Sequence, residues 1–248
     1  MTVGTREWAL FNENSIYNCY GDCRYCYAKG MAIRFKRATK ENWHEERPRN
    51  RDLSKIHKVN GWIMFPTTHD LHYIHRDWWM PFLTELLAKG NNVLIVSKPE
   101  YESIKYICMN LYQFVNQIEF RFTIGSDDDE VRKFWEPGAP AFSERIDALK
   151  FAHGQGYKTS VSMEPLLTTY PEVLIRQIDP YVTGTIWIGI MNHMSAKDFD
   201  FDKGEKYWYN EMQELNSYEN IYRIYQDLKN NPKIRWKDSV RELLRLEG

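Results

Sequence analysis

The sequence predicts a mixed α/β fold, a partial (β/α)6 barrel of TIM type that carries C-terminal helices. Three observations predict it. Short apolar runs rich in β-branched and aromatic residues recur along the chain. Segments of helical periodicity lie between most of them, and strand–helix alternation builds right-handed βαβ units on a parallel sheet. The length of 248 residues places six such units before residue 200, whereas a closed eight-unit barrel takes roughly 250 residues by itself.

The strands follow in order: WALF (8–11), GWIMF (61–65), NVLIVS (92–97), IEFRFTIG (118–125), KTSVSM (158–163) and GTIWIGI (184–190). Two helices are sharply marked. Leu71–Lys89 sets Trp78, Trp79, Phe82, Leu83, Leu86 and Leu87 along one side and stops at Gly90-Asn91, and Ser143–His153 stops at Gly154 and Gly156. Residues 196–206, AKDFDFDKGEK, form a polar break, beyond which Tyr207–Lys229 and Trp236–Leu246 read as two amphipathic helices. The chain thus divides into a barrel unit over 1–195 and a C-terminal helical extension over 196–248 packed on it.

The formal net charge of -1 excludes a generic polyanion binder. One segment departs from that balance: 29–58 holds ten Lys/Arg and four Asp/Glu, so 10 − 4 gives +6. It reads as a helix start followed by a long surface excursion, either a solvated face or an anion-binding rim for a phosphate-bearing substrate or nucleic acid. The start MTVGTREWALF has no basic stretch followed by an apolar run, and no window reaches the length of a membrane span. A cytoplasmic protein with no membrane partner is expected, and in a reducing compartment clustered cysteines serve as metal ligands or redox groups.

Three of the four cysteines, Cys19, Cys23 and Cys26, lie in NCYGDCRYCYAKG. Cys108, in the apolar context YICMNLY, reads as a buried small residue. Three thiolates fix a structural zinc if a fourth ligand joins them, and His44 and His57 are the candidates. Three thiolates also hold three irons of a cubane cluster, which leaves the fourth iron open. A zinc or electron-transfer module without catalysis is the alternative to an enzyme.

Cys19-x3-Cys23-x2-Cys26, with Tyr25 before the last cysteine and the motif directly after the first predicted strand, resembles the signature of the radical S-adenosylmethionine superfamily. The resemblance spans roughly residues 8–193 and is strongest to the spore photoproduct lyase-like branch. It implies a [4Fe–4S] cluster on the three cysteines and S-adenosylmethionine on the open iron. It further implies reductive cleavage to a 5′-deoxyadenosyl radical, hydrogen abstraction from a substrate, and an external electron donor of flavodoxin or ferredoxin type. FPTTHD (65–70) then supplies Asp70, with His69 beside it, for the methionine amino end; LIVSKP (94–99) supplies Lys98 for its carboxylate; FTIGS (122–126) supplies Ser126 for the ribose; EPGAPAFSER (136–145) supplies Glu144 and Arg145.

The residues support the same assignments without the family. A zwitterionic amino-acid end needs one carboxylate and one cation, which Asp70 and Lys98 provide. A ribose needs a hydroxyl or amide, offered by Ser126 or Asn192. Adenine needs a flat slot, offered by Tyr25, Tyr27 and Trp187. Glu164 makes a second polar contact to cofactor or substrate, or a buried ion pair with Arg121 or Arg145. Each has a plain structural role as well: Asp70 and Ser126 as helix caps, Lys98 as a solvated loop residue. One position departs from the branch. Thr67 stands where spore photoproduct lyase carries its hydrogen-donating cysteine, and a hydroxyl O–H is too strong a bond for that step. Repair of thymine photoproducts is therefore not expected, and the substrate is left between a nucleotide or nucleic acid, a peptide or protein, and a small metabolite.

Overall fold

The computed structural model describes residues 4–192 and 194–246. In chain order the elements are β1 (Phe11–Asn12), β2 (Ile16–Tyr17), α1 (Tyr27–Arg34), β3 (Arg47–Pro48), β4 (Trp62–Phe65), α2 (Arg76–Ala88), β5 (Asn92–Ser97), α3 (Tyr101–Asn110) and β6 (Ile118–Thr123). There follow α4 (Asp129–Trp135), α5 (Phe142–Gly154), β7 (Lys158–Met163), α6 (Pro171–Ile178), β8 (Ile186–Ile188), α7 (Lys206–Leu215), α8 (Tyr218–Leu228), β9 (Ile234–Trp236) and α9 (Asp238–Leu244). A seven-stranded sheet runs β1-β4-β5-β6-β7-β8-β9. Every pair in it is parallel, as strand–helix alternation requires. β2 and β3 form a separate antiparallel pair that returns the basic excursion to Ile16.

The two faces of the sheet differ because side chains alternate along each strand. Ile63, Phe65, Val93, Ile95, Phe120, Phe122, Val161, Ile186 and Ile188 enter the core with Trp79, Phe82, Leu83, Leu149, Leu174 and Ile224 of the helices. The opposite face is mixed, with Met64, Leu94 and Val96 beside polar Glu119, Arg121, Ser160 and Ser162. On it Arg121 pairs with Glu119 at 3.0 Å, donates from Nε to Ser160 Oγ at 3.1 Å, and lies 4.9 Å from the Trp8 ring and 5.5 Å from the Trp187 ring. An inner face of this kind builds a site rather than a second hydrophobic layer.

Where the structure departs from the sequence reading, tertiary contacts explain it. WALF gives only Phe11–Asn12 as strand, because Gly4–Glu7 forms a 3-10 turn held by the C-terminal region. Lys237 Nζ meets Glu7 Oε2 at 2.5 Å and donates to the Gly4 carbonyl at 3.0 Å. Arg241 meets Glu7 Oε1 at 2.5 Å, and the Gly4 amide donates to Asp238 Oδ2 at 2.9 Å. The segment before β1 is thereby fastened to the segment after β9, across the two edges of the sheet. The extension is not helical throughout: Ile234–Trp236 pairs with β8 as a seventh strand, so Trp236 ends a strand instead of opening a helix. The single helix read over Tyr207–Lys229 is two, broken where the Ser217 hydroxyl accepts from the Asn220 amide at 3.2 Å and caps α8.

Candidate active site

A cavity of about 740 Å³ opens at the C-terminal ends of the strands, and Cys19, Cys23 and Cys26 all line it. The three thiols are free, with no disulfide among them. Asn18 and Asp22 take positive φ values of 66° and 43°, which bend the chain around Cys19; Asn and Asp tolerate that region better than other side chains. Asp22 is held by Lys29 at 2.6 Å, and the Cys26 sulfur accepts from the Lys29 amide at 3.4 Å as the cap of α1.

The loop is docked from two sides. The basic excursion comes back under it: the Cys19 amide donates to the Trp43 carbonyl at 3.1 Å, and buried Trp43 packs with Cys19, Ala28, Ala32 and Ala38. Asn18 Nδ2 donates to the carbonyls of Asn42 and Glu45 at 3.0 Å. Glu46 accepts from the Tyr20 amide at 3.0 Å and pairs with His72 at 2.9 Å. The excursion is thus partly a buried support for the cysteines. On the other side, the Arg24 amide donates to the Trp135 carbonyl at 2.9 Å and the Gly138 amide to the Gly21 carbonyl at 3.1 Å. Gly138 has to be glycine, since a Cβ there would strike the Tyr20 carbonyl and the Gly21 backbone.

Behind the loop lies a charged stack. The Tyr25 hydroxyl donates to Glu136, and Glu136 pairs with Arg145, both charged side chains being 3% exposed or less. Arg145 also donates to the carbonyls of Pro140 at 2.8 Å and Thr123 at 3.2 Å. Burial alone would raise the Glu136 carboxyl, but Arg145 and Lys98 hold it below its ordinary value. Asp70 Oδ1 accepts from the Ser97 hydroxyl at 3.0 Å and the Lys98 amide at 2.8 Å, and Oδ2 faces Lys98 Nζ at 3.6 Å. Lys98 Nζ stands 5.7 Å from the centre of the Tyr25 ring. Burial is opposed at Asp70 by Lys98, so its carboxyl falls below the usual value and its charge is kept.

Of the residues chosen from sequence, the structure brings Cys19, Cys23, Tyr25, Cys26, Asp70, Lys98, Glu164 and Asn192 to this one cavity. Asp70 closes the end of β5 instead of capping a helix. Glu164 pairs with neither Arg121 nor Arg145: its ion pair is with Lys237, at 3.6 Å. Two assignments move away from the site. The Ser126 hydroxyl accepts from the Asp128 amide at 3.0 Å and stays outside the cavity lining, so it caps a turn. Arg145 lies behind Tyr25 and Glu136 and acts through them, while Glu144 accepts from the Tyr101 amide at 2.9 Å elsewhere. His69 is structural: Nδ1 lies 2.9 Å from the Asp70 carbonyl, the Ser15 amide reaches Nε2 at 3.4 Å, and burial pushes its pKa down to about 4. Thr67 does line the cavity, with Oγ1 accepting from Asn14 Nδ2 at 2.7 Å.

Sequence reasoning missed Asn14, Glu46, Glu136 and Lys237. Asn14 is a hub whose Oδ1 accepts from the Thr67 amide at 2.8 Å and the Thr68 amide at 2.9 Å. Glu136 opens the quoted EPGAP stretch, and its neighbour Gly138 was the available signal. Lys237 carries no local signal; only the pairing of β8 with β9 brings it inward.

The three free cysteines on one cavity fit the three-thiolate donor set of a cluster with one open iron. A cubane takes each thiolate on a different iron and so spreads them around one cavity. Burial pushes the Cys23 thiol up to about 12 and Cys19 up as well; a bound cationic centre reverses that and deprotonates a coordinating thiol outright.

With this geometry in place, comparison with known proteins decides the fold. A spore photoproduct lyase variant with bound AdoMet and dinucleoside spore photoproduct superposes with a TM-score of 0.58 at 15% identity, covering 92% of this chain and 76% of that one. This chain has the fold of spore photoproduct lyase. Streptococcus suis SuiB bound to S-adenosylmethionine matches with a TM-score of 0.52 at 11% identity, over 96% of this chain and 54% of SuiB. An uncharacterized protein of Methanocaldococcus jannaschii, MJ0683, is 24% identical over 195 residues, 77% of this chain and 74% of the relative. No family model matches the chain. The resemblance drawn from the cysteine motif thus holds at the level of the fold, and its cysteines lie where that fold opens its cavity. Among the described residues no helix is long and apolar enough to cross a membrane.

Proposed function

We propose that this chain is a radical S-adenosylmethionine enzyme of the cytoplasm, built as a partial barrel around the cavity to which the C-terminal extension adds β9 and the wall residues Lys237 and Asp238. The observation that carries the proposal is the meeting of three free cysteines with the Asp70–Lys98 pair in one cavity. Cys19, Cys23 and Cys26 would hold a [4Fe–4S] cluster, with S-adenosylmethionine beside it. When bound, the cluster supplies the electron that cleaves the cofactor to a 5′-deoxyadenosyl radical, which takes hydrogen from the substrate.

The chain's own side chains do the placing. Lys98 receives the methionine carboxylate and Asp70 the ammonium, each already oriented by the other and by Ser97. Tyr25 is fixed through Glu136 and Arg145, and Asn192 offers an amide at the exposed lip of the cavity for the ribose. Thr67 supplies no reactive hydrogen, so its place in the wall is to hold Asn14 and shape the pocket. Electrons come from a flavodoxin or ferredoxin type donor.

For the substrate, a nucleotide or nucleic acid has the best support. Tyr17, brought to the basic segment by β2–β3 pairing, lies 4.5 Å from the Arg49 guanidinium and 6.0 Å from that of Arg47. Phe35 is flanked by Arg37 at 5.5 Å and Arg34 at 5.8 Å. Exposed rings beside arginines are what single strands stack on. Trp43, buried, takes no part in such a platform.

The test is anaerobic. Protein rebuilt with iron and sulfide, reduced with dithionite and given S-adenosylmethionine is expected to release 5′-deoxyadenosine. Colourless protein holding one zinc per chain contradicts the proposal. Cys23→Ala is expected to lose the cluster, because two thiolates do not retain it; iron content equal to that of the unaltered protein contradicts the ligand assignment.

A further inference from the structure

The cavity has a second polar corner that the cofactor assignment leaves unused. Ser162 and Glu164, at the end of β7, line it together with Trp8, Lys237 and Asp238. Gly189 makes the corner possible: a Cβ there would lie 3.0 Å from Cγ of Glu164 and 3.0 Å from Cγ of Lys237, so the two side chains pack across the bare backbone after β8.

The hydrogen-bond accounts of the three groups differ. Lys237, 1% exposed, donates to the Gly4 carbonyl at 3.0 Å and faces two carboxylates, Glu7 at 2.5 Å and Glu164 at 3.6 Å. It also lies 4.4 Å from the Trp8 ring centre, which covers its open side. Ser162 is the reverse case: it is 1% exposed, lines the cavity, and its hydroxyl has no partner. The Glu164 carboxylate reaches Lys237 only beyond hydrogen-bond distance and makes no hydrogen bond among the described residues. The buried Ser162 hydroxyl thus faces the cavity without the partner that buried polar groups normally find, and the partly exposed Glu164 carboxylate stands beside it.

We propose that Ser162 and Glu164 form a substrate subsite that takes an uncharged, hydrogen-donating polar group such as a primary amide, a ring N–H or a hydroxyl. The proposal rests on the reading of the cavity as an active site and adds the class of group that enters it. Charge selects the neutral form. The ionised side chains around the corner are Arg6, Lys237 and Arg241 against Glu7, Glu164 and Asp238, so positive and negative are equal in number. The corner is therefore charge-balanced as it stands, so an anion meets Glu164 and a cation meets Lys237 without a counter-charge of its own; burying either unpaired is costly. Burial pushes the Glu164 carboxyl up to about 7 against the pull of Lys237, so a further negative charge beside it is disfavoured. A phosphate carried by the substrate therefore stays outside, at the arginine rim, while an uncharged part enters.

Three probes of one shape and different charge test the corner: benzamide, benzoate and benzamidinium, each measured by saturation-transfer NMR on the full chain without cluster or S-adenosylmethionine. Benzamide is expected to bind more tightly than either ion. Ser162→Ala is expected to weaken benzamide about tenfold, the loss of one buried hydrogen bond. Glu164→Gln and Glu164→Ala are expected to shift the preference from benzamide toward benzoate, a reversal that mere misfolding does not produce. Benzoate preferred by the unaltered chain, a preference unmoved by both Glu164 variants, or no binding by any of the three overturns the subsite. None of these results depends on cluster assembly, so failure here is separable from failure to make 5′-deoxyadenosine.

Discussion

At the cysteine end of the cavity, ionised side chains are matched in pairs: Asp70 with Lys98, and Glu136 with Arg145 and the Tyr25 hydroxyl. At the Lys237 end one lysine is shared by the Gly4 carbonyl and the carboxylates of Glu7 and Glu164, while the Ser162 hydroxyl has no partner. Both ends sit on the C-terminal edge of the same sheet. The difference separates two uses of buried charge. A saturated network, such as Glu136 with Arg145 and Tyr25, fixes a loop in place, whereas an unpartnered hydroxyl such as that of Ser162 is open to a ligand.

The largest effect expected from breaking this contrast is at the saturated end. Arg145→Met leaves Glu136 buried without its counter-charge, and removing one partner of a buried pair costs about 3–5 kcal/mol. Urea denaturation is the measurement, and a loss below about 1 kcal/mol would mean that the pair does not support the cysteine loop. Gly138→Ala comes next. Its new methyl meets the Tyr20 carbonyl and the Gly21 backbone, so a cost of about 1–3 kcal/mol is expected, as for other overpacked sites. The same variant should expose Cys23, now 4% exposed, to iodoacetamide; unchanged labelling would show that the loop is not seated on Gly138.

Asp70→Asn and Lys98→Met, in cluster-loaded protein, should each weaken S-adenosylmethionine by about 1–3 kcal/mol, the cost of a lost charge-assisted hydrogen bond. Anaerobic calorimetry measures it, and unaltered affinity removes both residues from the cofactor site. The smallest effect lies at the unsaturated end and is a slope. Folding raises the Glu164 carboxyl from its ordinary value to about 7. The folded chain therefore binds more protons than the unfolded one between those values, and stability falls as pH rises through that window. The contribution is complete below the ordinary carboxyl pKa and gone above about 7. Glu164→Gln should flatten the urea midpoint between about pH 5 and about pH 8. An identical slope in the variant would place the titration elsewhere.

The sequence displayed the saturated end far better than the other. Cys19, Cys23, Cys26, Asp70 and Lys98 each sit at a strand end or in a compact motif, so local pattern located them. Glu136 was within reach in the same way, one residue from a Pro-Gly pair that signals close backbone approach. Lys237 and Glu7 were not, because they lie at opposite ends of the chain and meet only when β9 joins the sheet and the N-terminal turn folds across to it. Trp236 shows the same limit: its surroundings have helical periodicity, yet pairing with Ile188 makes it a strand residue. Ser126 and Arg145 lie outside the cavity lining for a related reason. Sequence places a residue at a strand end but does not tell a side chain aimed into the cavity from one that caps a turn or braces a neighbour.

The central claim is that three thiolates and one unfilled iron position meet the Asp70–Lys98 pair in a single cavity. Electron paramagnetic resonance of the dithionite-reduced, cluster-loaded chain tests it most directly, with and without S-adenosylmethionine. A [4Fe–4S]⁺ signal whose g-values move when the cofactor is added is the result expected. No iron–sulfur signal, or one that the cofactor leaves unchanged, would contradict the claim.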